Sequence, residues 1–175
     1  WWNNMARKTS EIRIEGETSH IILTKGYEAI IDTEDVDLVK GYNWFAHVAP
    51  HTVYVVTNYR SNPKFEHRHI RLHRLIAQVP PNMEVDHKDR NGLNCRRYNL
   101  RVCTHLQNTQ NRGISSNNTS GYKGVSWIKG SGKWGSWIRV KGRSINLGLF
   151  NDPEEAHKAY IQAAIKHFGE FYSSG

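Results

Sequence analysis

The stretch that decides the reading runs from Val85 to Asn108: V-D-H-K-D-R-N-G-L-N-C-R-R-Y-N-L-R-V-C-T-H-L-Q-N. Val85-Asp86-His87 reads as the end of a short strand that sets a carboxylate beside an imidazole. Gly92, flanked by Asn91 and Asn94, makes a loop. Leu100–Cys103 reads as a return strand, and Thr104 as the cap of a helix carrying Asn108. Taken singly, an Asp-His pair is common, and Asn91, Asn94 and Asn99 suit ordinary turns. The reading rests on their joint spacing.

Those residue types fit phosphodiester hydrolysis. The reaction needs a base for the attacking water, neutralisation of charge at phosphorus, and stabilisation of the leaving oxygen. His87 suits the first task, because an imidazole titrates near neutrality. Asp86 and Asn108 are oxygen donors of the kind that hold Mg²⁺, an ion that keeps much of its shell as water and substrate phosphate. Arg97 and Arg101 are expected to hold phosphates in register. His105 is a weaker rival to Asn108 as a ligand, and His73 is expected to pack beneath the motif.

Moving outward, His73–Val79 reads as a helix stopped by Pro80-Pro81. Residues 11–15, 20–24 and 27–31 read as strands broken at Gly16 and Gly26, and Thr33 opens a short helix ending at Gly41. Trp44–Ala49 and Val53–Arg60 read as two more strands, and Phe65–Leu72 alternates as another. Downstream, 113–119 is a Ser/Asn-rich linker. Lys123–Ile128, Lys133–Val140 and Ser144–Phe150 are strand-length runs joined by glycine turns, an antiparallel meander. A helix then starts at Asp152 as N-cap, with Pro153 first and Glu155 closing a capping box. Its Ala156, Ala159, Ala163 and Ala164 let it lie close to a sheet. The fold class is α+β, with divisions expected at 1–69, 70–112, 113–119 and 120–175.

With its flanks L-H-R-L-I at 72–76 and T-H-L-Q-N-T-Q-N at 104–111, the central segment resembles the HNH (ββα-metal) nucleases of the phage and homing type. The resemblance is close over residues 70–112 and loose over 19–69. It implies a metal-dependent DNA endonuclease in which His87 is the general base and Asp86 and Asn108 hold the ion. Asn99 would fix the loop and orient the imidazole. Asn108 stands where the family name has its final His, which favours Mg²⁺ or Mn²⁺ over softer metals.

Residues 120–172 resemble the plant ethylene-response-factor type of DNA-binding domain, which lays a three-stranded sheet in the major groove. That likeness implies double-stranded DNA as partner. Trp127, Trp137 and Arg139 are expected at base edges, and Lys123 and Lys133 on phosphate, with Lys141 and Arg143 beside the strands. Ser126 and Ile128 occupy contact-side positions where the family carries arginines, so base preference does not carry across.

Charge agrees with this division. The 175-residue chain carries +8 overall, but residues 1–50 hold five Lys and Arg against eight Asp and Glu. Residues 86–150 hold twelve against two, and three of the six tryptophans. Basic and aromatic residues together suit a polyanion with flat bases. Two cysteines, Cys95 and Cys103, exclude a disulfide framework and a Cys-rich zinc site. No apolar run is long enough to span a bilayer and no signal-peptide core is seen, so a cytoplasmic setting in a bacterial or phage-infected cell is expected. One active site per chain implies nicking by a monomer or double-strand cutting by a homodimer. A small-molecule substrate is not expected. The alternatives are a DNA-binding regulator with an inert nuclease motif, and an RNA-binding protein, which the major-groove reading disfavours.

Overall fold

The computed structural model describes residues 9–59 and 68–174, so part of the expected Phe65–Leu72 strand lies outside the described residues. The chain forms two compact units, Trp1–His105 and Leu106–Gly175. The architecture is α+β, with three three-stranded antiparallel sheets and one two-stranded ribbon among the described residues.

The first unit opens with the meander β1 (Ile12–Glu15), β2 (Thr18–Ile22) and β3 (Glu28–Asp32). The second strand ends earlier than expected because Lys25 and Gly26 take left-handed backbone (φ 63° and 74°) and close a tight turn at Thr24–Gly26. The helix expected from Thr33 is mostly a 3₁₀ turn, and only α1 (Val36–Val39) is α-helical. A second sheet joins β4 (Phe45–Val48), β5 (Val53–Tyr59) and β6 (Arg68–Arg71), and runs directly into α2 (Leu72–Ala77). That helix stops at Gln78, which turns left-handed (φ 48°) ahead of the two prolines.

Alternation aims Ala46 and Val55 inward, where they meet Ile21, Ala29 and Ile31 from the first sheet, Leu72 and Ile76 from α2, Trp44 and Cys95. This single core therefore includes residues from both sides of position 70. Trp44, at 1% exposure, donates its indole N–H to the Val39 carbonyl at 3.0 Å, so the polar edge of the ring is satisfied inside.

On this support sits the ribbon β7 (Glu84–His87) and β8 (Leu100–Cys103), in the register Asp86↔Arg101 and His87↔Leu100. The loop between them is bonded to the first sheet: Ile30 N–H donates to the Leu93 carbonyl and Cys95 N–H to the Ile30 carbonyl. After Thr104 comes α3 (His105–Gln110), which spans the boundary of the two units.

The second unit holds β9 (Val125–Ile128), β10 (Lys133–Val140) and β11 (Arg143–Phe150), with β10 central, and α4 (Pro153–Phe168). Ile138 packs against Tyr160 and Ala164 of the helix. The Asp152 carboxylate accepts from the Glu154 and Glu155 N–H groups at 2.8 and 3.0 Å, as an N-cap should. Among the described residues the reciprocal half of the expected capping box, from the Glu155 side chain, is not formed.

Candidate nuclease site and DNA-binding sheet

The ribbon ends Asp86 and His87 in buried positions, both at 6% exposure. Cys95 approaches from the loop, its Sγ 3.8 Å from His87 Nε2. The His73 ring stands edge-on to His87 at 4.8 Å, and Tyr54 lies 6.5 Å from it. Burial pulls the His87 pKa below its ordinary value, opposed by the Asp89 and Asp86 carboxylates. His73 is pulled down further, again by burial and then by neighbouring cations, and its Nδ1 has no hydrogen-bond partner among the described residues. It packs under the ribbon as a neutral ring.

The loop is organised by Asp89 and Asn99. Asn99 Nδ2 donates to Asp89 Oδ1 at 2.9 Å and to the Asn94 carbonyl at 2.8 Å, and its Oδ1 accepts from Asp89 N–H. Asn94 Nδ2 donates to Asp89 Oδ2 at 2.7 Å. Every side-chain bond of Asn99 goes to the loop and none to the imidazole, whose Nε2 faces Cys95 instead. The sequence offered no signal for that cysteine beyond its place in the motif. Gly92 is required by close approach: a Cβ there would lie 2.4 Å from the Val53 carbonyl oxygen.

Two cations expected on phosphate are engaged elsewhere. Arg97 binds Asp35, which is 2% exposed, through Nε and Nη2 at 3.1 and 2.5 Å, and also reaches Glu34. Arg101 directs Nε and Nη2 at Asp86 Oδ2, at 2.8 and 2.6 Å, with both side chains nearly buried. Asp35 is 62 residues from Arg97 in sequence, so no local pattern reveals that pair, whereas Asp86 stands directly opposite Arg101 in the ribbon. His105 pairs with Glu84 at 2.8 Å. Asn108 lies on α3, in the second unit. Among the described residues no three His, Cys, Asp or Glu side chains gather as a metal cluster.

In the second unit, register sorts the sheet residues by face. Ser136 and Ile138 are buried on the side that carries α4. Trp134 shares their parity and stands opposite Trp127, with ring centroids 5.1 Å apart. Trp127 therefore lies on the helix-bearing side, which corrects its expected grouping with Trp137 and Arg139. Those two, with Lys133, alternate onto the other face, beside Ser126 and Ile128. The Trp137 indole covers Gly135, where a Cβ would lie 1.8 Å from the ring. Lys133, Arg139, Lys141 and Arg143 are exposed, and Lys141-Gly142 form the positive-φ turn joining β10 to β11. Lys123, expected on phosphate, donates its Nζ to the Gln110 and Arg112 carbonyls. No helix among the described residues is long and apolar enough to cross a membrane.

Comparison with known proteins bears on both units. Residues 67–110 match the HNH endonuclease family, and residues 120–170 match the AP2 domain. An uncharacterized HNH endonuclease of Acanthamoeba polyphaga mimivirus is 30% identical over 149 residues, covering 84% of this chain and 74% of that protein. Protein 3.8 of Escherichia phage T7 is 32% identical over 91 residues, covering 51% of this chain and 75% of that protein. No solved structure matches. With the ribbon, its Asp-His pair and the sheet-on-helix module all in place, the chain belongs to the HNH endonucleases and carries an AP2 domain as its DNA-binding module.

Proposed function

We propose that this nuclease hydrolyses phosphodiester bonds of double-stranded DNA with His87 as general base, at sites chosen by the 120–175 module in the manner of homing endonucleases. The observation that carries the reading is the setting of His87. It ends a strand, sits beside a buried carboxylate, and has its pKa lowered by burial, so the neutral ring able to take a proton prevails at physiological pH. Asn99 and Asp89 hold the loop that frames it.

Asp86 and Asn108 would hold Mg²⁺ or Mn²⁺. A carboxylate and an amide are hard oxygen donors, and a site with so few protein ligands suits an ion that keeps most of its shell as water and phosphate. Arg101 pairs with Asp86 Oδ2, so an ion held there would share that carboxylate with a guanidinium. When bound, such an ion would supply charge neutralisation at the scissile phosphate and its leaving oxygen. The chain's own contribution is to orient the water-activating imidazole and to exclude bulk solvent from it by packing Tyr54, His73 and Cys95 around it.

Lys133, Trp137, Arg139, Lys141 and Arg143 present the DNA-reading face, with Arg139 and Trp137 toward base edges and the lysines toward phosphate. One active site per chain means a monomer nicks and a pair of copies cuts both strands. The cytoplasm, where phage and host DNA meet, is the setting we assign.

Supercoiled plasmid incubated with Mg²⁺ tests the reading. The wild type should relax or linearise it, and His87→Ala should cut about 10²- to 10⁴-fold more slowly. Undiminished cleavage by that variant would remove His87 as base. An intact plasmid with the wild type, alongside retained sequence-selective binding, would leave the inert DNA-binding regulator.

A further inference from the structure

The displacement of Arg97 and Arg101 from phosphate duty leaves open which side chain holds the DNA backbone next to the scissile bond. The outer face of the β4–β5–β6 sheet supplies a candidate. Strands β4 to β6 contain no Asp or Glu, whereas the β1–β3 meander carries Glu15, Glu28 and Asp32 and ties its Arg13 to Glu28. Ala46 and Val55 face the core, so Phe45, His47, Tyr54, His69 and Arg71 face the other way, in the register Phe45↔Val56↔Arg71 and His47↔Tyr54. His47, His69 and Arg71 are exposed.

Arg71 makes no ion pair among the described residues; its Cζ lies 5.2 Å over the Tyr54 ring. The same ring stands 5.8 Å from His73 and 6.5 Å from His87. An exposed guanidinium and the buried imidazole thus flank one tyrosine. A guanidinium seated on an aromatic face is pre-oriented, and its planar fork suits phosphate oxygens.

We propose that Arg71, steadied by Tyr54, binds a DNA phosphate adjacent to the one cleaved, so that the acid-free face of the β4–β6 sheet guides the strand to His87. This assigns the N-terminal region a substrate-binding surface in addition to its packing role, and it rests on the reading of His87 as the base acting on DNA.

The test uses the full chain. Under single-turnover conditions on supercoiled plasmid with Mg²⁺, Arg71→Ala should cut about 10- to 100-fold more slowly, the effect of removing one charge-assisted hydrogen bond. Arg71→Lys should recover part of that rate. The logarithmic salt dependence of the rate should flatten by about one unit in Arg71→Ala, as expected when one cation leaves the phosphate backbone. In parallel, phosphate-ethylation interference in EDTA should show a protected phosphate that persists in His87→Ala and disappears in Arg71→Ala. Arg13→Ala, on the acidic sheet, should change neither measurement. A rate within twofold of wild type and an unchanged interference pattern in Arg71→Ala would overturn the proposal. Undiminished cleavage by His87→Ala would instead sink the assignment of the base, while the interference pattern still reports on Arg71.

Discussion

In the β7–β8 ribbon and its loop, Arg96, Arg97 and Arg101 each direct a guanidinium at a carboxylate of the same unit: Asp32, Asp35 and Asp86. In the β9–β11 sheet, Lys133, Arg139, Lys141 and Arg143 stand exposed, and residues 113–150 contain no acid at all. Residues 84–103 and 125–150 hold five Lys and Arg each. What separates them is whether an acidic partner was folded into reach. Cations of the first kind are tied to carboxylates of the nuclease unit, and those of the second kind pair with no carboxylate among the described residues.

The sharpest way to break this contrast is to remove one cation from each region. Arg101→Ala leaves Asp86 buried without its guanidinium, and should cost about 3–5 kcal/mol of stability by denaturant unfolding. A stable, fully folded variant would show that the pair is not structural. Arg139→Ala should leave stability within about 0.5 kcal/mol of wild type, yet cost roughly 1–3 kcal/mol in binding if the side chain reads a guanine. An equal weakening on every sequence would mark it as a phosphate-binding residue.

A finer comparison lies within the second unit itself. Lys133→Ala should reduce the slope of log affinity against log salt by about 0.9, the signature of one phosphate no longer neutralised. Lys123→Met should leave that slope unchanged, because its ammonium is occupied by the Gln110 and Arg112 carbonyls. A salt slope lowered equally by both would return Lys123 to the DNA face.

The remaining prediction is a slope in pH. His73 and His87 have folded pKa values below those of the unfolded chain. Below the ordinary imidazole value the unfolded chain then binds more protons than the native one, so stability falls as pH drops below about 6.5. Thermal unfolding from pH 7.5 downward should show this, and His73→Phe should flatten part of it. A melting temperature that held steady through pH 5 would contradict the buried, neutral state of these rings.

Much of the local structure around the site was legible because its information is local. The Asp86-His87 step, the Asn99 spacing and the Asp152-Pro153 helix start are all short-range patterns, and each forms where its spacing placed it. The face assignment of Trp127 was less secure, since strand parity depends on where β9 begins and on the partner it meets in β10. The second strand of the first meander was likewise shifted by the Lys25-Gly26 turn, a backbone choice that composition does not announce.

The order of elements, the α+β class, the nuclease motif and the basic C-terminal sheet were all settled by sequence alone, because periodicity and turn chemistry act over a few residues. Only the tertiary structure decided which cations are spent. A guanidinium's fate depends on acids brought close from distant segments, as Asp32 and Asp35 are brought to Arg96 and Arg97. The same long-range packing set Arg71 over Tyr54, neighbours that no spacing along the chain encodes.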